Sequence, residues 1–259
     1  MKGFLEEYGL IIVVVAVILL MLLFGKSGYA KSIQDAILGS TNHIVETGEN
    51  ITKKEVHVTT GDVLDIEGNK YIVLEKQGNY QALVMTVDSI GEKSFQSSIR
   101  SDGLRQDGQY INTYEGSEID NYLENKYYGS LTSKLKDAIV ESNIRQFSYS
   151  SYDITSKKDT APDGSIYNVL SRHVYLPSIE EIGKLVDLNS PDKIKLFLNN
   201  VSIWTRDNSF NNNKLVMDFD ASYGGLGNNW ASVEYDVRPA FVIDLSQVDY
   251  KVAGHVDYK

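Results

Sequence analysis

The chain has 259 residues, no cysteine and a formal net charge of −10. Zero cysteine excludes disulfides, thiol nucleophiles and thiolate zinc sites, and the acidic balance argues against nucleic acid, whose phosphates demand clustered Lys and Arg. The length suffices for a real core without staples, and 17 tyrosines against 8 phenylalanines suit strands or an adaptable recognition surface.

Leu10 to Phe24 reads LIIVVVAVILLMLLF, without one polar side chain; Tyr8, Gly9 and Gly25 extend it to 18 residues. A membrane-spanning helix needs roughly 17 to 25. Glu6 and Glu7 ahead of so long a run favour an uncleaved anchor over a secretory signal. Ala30, Ile33, Ile37, Ile44 and Val45 continue at helical spacing. Gly48, Glu49 and Asn50 break the pattern. The sequence therefore predicts a transmembrane helix and stalk over residues 1–50. The rest, residues 51–259, forms an extracellular domain on a single-pass cell-membrane protein.

Val56 to Thr60 and Lys70 to Leu74 read as strands around a D-I-E-G-N turn. Gly78-Asn79 is a hairpin signal, followed by a strand over Tyr80 to Val87. Ser117 to Tyr128 reads as a capped helix, with a second over Leu131 to Ile139. Residues 148–166 read as a loop. Val174 to Leu176 is a short strand, and Ser178 with Glu181 forms a capping box for a helix through Ile182 and Leu185. Ser190-Pro191-Asp192 starts another helix, with proline in the first turn. Strands follow at Ser202–Thr205, Leu215–Phe219, Trp230–Val233 and Phe241–Leu245, with S-Y-G-G-L-G-N-N as a flexible loop. The pattern is α+β, with terminal strands and central helices.

The opening MKGFLEEYGLIIVVV resembles the start of Flp-type pilins of the type IV filament superfamily: Gly3, Glu7, Tyr8 and the apolar run from Gly9 match their spacing. That resemblance implies processing near the glycine and self-association through the N-terminal helix. In the packed filament core, glutamate neutralises a neighbour's amine. The main domain resembles an uncharacterised bacterial domain-of-unknown-function family found in surface and secreted proteins of Gram-positive bacteria. The stretches that carry this are YIVLEKQGNYQALVMTV, YEGSEIDNYLENKYY, VYLPSIEEIGKL, and the closing WTRD and DVRPAFVID. The W-x-R and V-R-P-A pair also resembles, more distantly, C-type-lectin-like folds, including the formylglycine-generating group. That likeness implies a mixed, lectin-like domain with an open ligand surface built from long loops. It does not imply catalysis, because the sulfatase-activating branch works through cysteines and the lectin calcium motif is absent.

The four histidines, His43, His57, His173 and His255, lie at no metal-ligand spacing. Nucleophile elbows, phosphate loops and zinc-protease motifs are missing. No cofactor or metal is expected. The candidate structural or ligand-binding residues are Trp204, Arg206, Asp207, Trp230, Tyr235 and Arg238. The arginine-proline pair at 238–239 reads as a structural pin launching the last strand. Asp207, Asp218, Asp220 and Asp236 are all possible partners for Arg238. The expected function is a membrane-anchored, non-catalytic ligand-binding or adhesion domain, with a glycan or a protein as ligand. The alternatives are a pilin-like filament subunit, resting on Gly3, Glu7 and Tyr8, and an enzyme of unrecognised type.

Overall fold

The computed structural model describes residues 56–98 and 100–259. Three antiparallel strands open the fold: β1 (Asp62–Ile66), β2 (Asn69–Gln77) and β3 (Gln81–Thr86). Tight turns make this possible. Glu67 and Gly68 both adopt positive φ, as a two-residue hairpin turn requires, and Gly78 does so at the next. β4 (Glu92–Ser94) follows.

The helical middle is short. The Ser117 side chain accepts from the Asp120 amide at the start of α1 (Glu118–Asn121), which continues through a π-helical segment (Tyr122–Tyr127) into α2 (Tyr128–Ser130). Thr132 caps α3 (Ser133–Ala138) in the same way. Short strands come next: β5 (Ile139–Val140), β6 (Ser142–Arg145), β7 (Ser148–Tyr149), β8 (Lys157–Lys158) and β9 (Val169–Arg172). α4 (Ile179–Leu185) starts on a complete Ser178–Glu181 capping box, and α5 (Pro191–Leu198) on Ser190 with proline in the first turn.

The last third is β: β10 (Ile203–Ser209), β11 (Leu215–Asp220), β12 (Gly225–Trp230), β13 (Glu234–Asp236), β14 (Ala240–Asp244) and β15 (Lys251–His255). One sheet runs β15-β1-β2-β3-β14-β5, so the last strands insert beside the first described ones. A second runs β12-β11-β10-β13-β4, with β7 joined to β10 and β8 to β7. β6 and β9 pair as a separate ribbon. A single hydrophobic cluster joins the sheets and helices, from Leu64, Tyr71 and Val84 through Ile182 and Phe197 to Trp204, Phe219 and Phe241.

This corrects the expected fold class. The described chain is mostly β-sheet with a few short helices, not a lectin-like domain of terminal strands around central helices. Strand pairing overrode local composition. S-Y-G-G-L-G-N-N was expected to be a loop, yet Gly225–Trp230 runs as a strand over six consecutive pairs with β11. Val56–Thr60 forms no strand, and Val174–Leu176 contributes only the isolated Tyr175–Ala240 bridge. The 148–166 segment, expected to be a loop, holds two short strands.

The expected membrane helix and the single-pass placement built on it are also corrected. Among the described residues no helix is long and apolar enough to cross a membrane. The longest α-helix there, α5, has 8 residues, or ~12 Å of rise, against about 30 Å of hydrocarbon. Gly3, Glu7, Tyr8 and Leu10 to Phe24 lie outside the described residues.

Candidate functional site

The WTRD stretch lies on β10, and the ladder explains its shape. Trp204 pairs with Asp218 on β11, but the next pair is Asn208 with Val216. The residues between bulge out of the ladder, and a bulge re-aims side chains. Arg206 turns toward α4. Its Nη1 and Nη2 donate to the Glu181 carboxylate at 2.6 and 2.8 Å, Nη1 also donates to the Leu176 carbonyl at 3.0 Å, and Nε to the Arg145 carbonyl at 2.8 Å. Asp207 accepts from the backbone amides of Phe147 at 3.0 Å and Ile179 at 2.8 Å. Burial pushes the Asp207 carboxyl up to about 6, with Arg206 pulling the other way. Every one of these charges is spent on tying β10 to α4 and to the chain entering β7.

Arg238 is likewise buried, and its partners are carbonyls rather than any of the four candidate carboxylates. Nε donates to Thr86 O at 2.9 Å and Nη1 to Phe197 O at 3.3 Å, while the guanidinium lies 4.8 Å from the centre of the Phe197 ring. Burial lowers its pKa to about 10. It joins β3, α5 and the start of β14.

Asp218 differs. It is 1 % exposed, and neither carboxyl oxygen has a hydrogen-bond partner. No other buried carboxyl group is left this way among the described residues. Leaving such a group unmet costs on the order of 1–3 kcal/mol. Burial, then the neighbouring Asp220, push its pKa up to about 8. Register places Asp218 in a row across one face of the sheet: Lys93 on β4, Tyr235 on β13, Trp204 on β10, Asp218 on β11 and Gly227 on β12. The Trp204 and Tyr235 ring centres are 4.7 Å apart, and the Tyr235 hydroxyl accepts from Asn229 Nδ2 at 2.9 Å. Lys93, at the far end, turns over the Tyr122 ring at 4.0 Å.

Gly227 makes the room. A Cβ there would overlap Asp218 Oδ1 and lie 2.8 Å from the Tyr223 hydroxyl. The Tyr223 ring also lies over Gly225, and its hydroxyl donates to the Leu226 carbonyl at 2.9 Å. This half-exposed phenol therefore covers the carboxyl, and burial with Asp218 and Asp220 pushes its own pKa up to about 12.

The structure thus brings together two sequence-derived candidates, Trp204 and Tyr235, beside Asp218. It does not bring in Arg206, Asp207 or Arg238. Trp230 pairs with Leu215 and so faces the opposite side of β12. Asp218, Tyr223 and Gly227 were missed as site residues. Their only sequence signal was a glycine-rich loop after D-F-D, and the loop's register onto β11 was not legible.

A separate groove of about 510 Å³ between α4 and the 149–157 segment is lined by Tyr149, Ile154, Ile179, Val186 and Leu188. Its flanking lysines are already engaged, Lys157 with Glu180 at 2.8 Å and Lys259 with the Gly183 carbonyl. Among the described residues no group of three His, Cys, Asp or Glu side chains could hold a metal ion.

Residues 79–245 match the family described as "Domain of unknown function (DUF6273)", and the chain belongs to that family. No curated protein and no solved structure matches the chain.

Proposed function

We propose that this domain is a non-catalytic ligand-binding module whose recognition site is the Asp218 face of the β11–β12 hairpin, beneath Tyr223. The observation that carries this is Asp218, a buried carboxyl with no partner, under a tyrosine cover and above a glycine floor. A fold gains nothing from such a group; asparagine or a hydrophobic residue would sit there at lower cost. Strained or unmet groups of this kind are retained where a ligand supplies the missing contact. The binding reading is preferred to an enzymatic one because no nucleophile or imidazole is hydrogen-bonded to Asp218 among the described residues.

The experiment is a thermal-shift screen with cationic, neutral polyhydroxy and anionic compounds, on the wild-type chain and on Gly227→Ala. The variant's added methyl would overlap Asp218 Oδ1 and so displaces the carboxyl. At least one class should raise the melting temperature of the wild type and leave the folded variant unchanged. Silence from every class, or equal shifts in both proteins, overturns the proposal.

A further inference from the structure

We infer that the Asp218 site takes a primary alkylammonium group, the charged end of an organic amine; this rests on the binding site proposed above and adds the chemistry of its ligand. Two carboxyls lie two residues apart on the same face of β11, Asp218 and Asp220, and neither forms a salt bridge among the described residues. Asp220 Oδ1 accepts from the Ser222 amide at 2.7 Å and hydroxyl at 2.6 Å. Neither of these donors carries a charge. The charged residue that shares the row, Lys93, is turned away over Tyr122. The pair lacks a positive charge; an ammonium supplies one together with three donors, and its charge favours release to solvent of the proton that Asp218 holds in the free protein.

The rest of the surroundings decide between kinds of cation. Besides the two acids, the neighbours are the rings of Trp204, Tyr235 and Tyr223 and the backbone of Gly225 and Gly227. The partly exposed Tyr223 and Tyr235 rings can attract an organic ammonium and are poor ligands for a hydrated metal, whereas the Trp204 ring is fully buried against Phe95 and Tyr235. Calcium wants six to eight oxygens, and two carboxyls with no third acidic or imidazole group fall short of that. A neutral hydroxyl would satisfy one oxygen of Asp218 and leave the acid pair uncompensated. Entry runs past Tyr223, whose ring is 50 % exposed and is held by one hydrogen bond to Leu226 O. Gly224, at φ +72, follows Tyr223, and its backbone packs closely on Pro191 and Lys195 of α5.

The test is isothermal titration of the full chain with pentane-1,5-diamine, pentane-1,5-diol and calcium chloride, repeated on Asp218→Asn and Asp220→Asn. Asp218→Asn keeps the shape and removes an ionisable group that the fold does not need, so it should fold at least as well as wild type. The diamine should bind and the diol should not. Asp218→Asn should weaken the diamine by at least about tenfold, the loss of a charge-assisted contact, and Asp220→Asn by less. Diol binding as tight as the diamine, calcium binding that competes with it, or an unchanged diamine affinity in Asp218→Asn would each overturn the ammonium assignment while leaving the site itself standing. No heat from the diamine, with other classes active in the thermal screen, overturns the assignment as well. Failure of every class in that screen removes the site altogether.

Discussion

Asp218 and Arg238 pose the same physical problem and resolve it differently. Both are buried charge-bearing side chains without an oppositely charged partner. Arg238 spreads its donors over the Thr86 and Phe197 carbonyls and a ring face, and stays a cation. Asp218 has no donor to accept from, so it holds a proton instead. The consequence for stability has a definite sign. The carboxyl's ordinary value is 3.8, and burial with Asp220 raises it to about 8 in the fold. Below the lower value it is protonated folded or unfolded, and pH has no leverage through it. Between the two, the unfolded chain releases a proton that the folded chain keeps, so stability falls as pH rises, by about 1.4 kcal/mol per pH unit for one group. Above the upper value both states are ionised and the penalty is constant. Asp218→Asn should therefore raise the urea midpoint at pH 7.5 relative to wild type and flatten the decline from pH 5 upward. A variant less stable than wild type at pH 7.5 would mean that Asp218 has a partner after all.

At the scale of elements, α4 shows how one short helix carries two interactions of unequal weight. The Ser178 hydroxyl accepts from the Glu181 amide at 3.1 Å, and the Glu181 carboxylate accepts in turn from the Ser178 amide at 2.9 Å. The same carboxylate holds the buried Arg206 guanidinium. Ser178→Ala should cost about 1 kcal/mol, the usual loss of a cap. Glu181→Ala should cost roughly 3–5 kcal/mol, because it also strands a buried cation. Urea midpoints for the two variants check the ordering; equal losses would show that Arg206 finds another partner. The capping box was legible because all its parts lie within four residues and each has a fixed chemical role. So was the Gly78 turn. The partner of Arg206 was not, since Glu181 is 25 positions away and only the bulge in β10 aims one at the other. β12 was illegible for a different reason. G-L-G-N-N-W is a poor strand former on its own, and its strand exists through its six pairs with β11. The close approach of Gly227 to Asp218 follows from that register and from nothing local.

The whole molecule closes its first sheet with its last strands, which bears on what part of it can fold. β14 lies between β3 and β5, and β15 seals β1 on the other side. The family match begins at residue 79 and ends at 245. A fragment cut to those limits would lose β1, β2 and β15. It would keep β3 and β14 but strip β3 of its other neighbour. Gone with those strands are the fully buried Leu64, Ile66, Val73 and Leu74, and Tyr71, whose ring centre lies 5.3 Å from that of Phe241. Burial of each such side chain is worth about 1.5–3 kcal/mol, so their combined loss matches or exceeds the ~5–15 kcal/mol by which a typical domain is stable. The Glu75 ion pair with Lys184 on α4 would go as well. Residues 79–245 alone should therefore show no cooperative thermal transition and should bind hydrophobic dye, whereas residues 54–259 should unfold in one step. A sharp single transition in the shorter fragment would show that β1, β2 and β15 are an added layer, and that the core around Trp204 and Phe241 is self-sufficient.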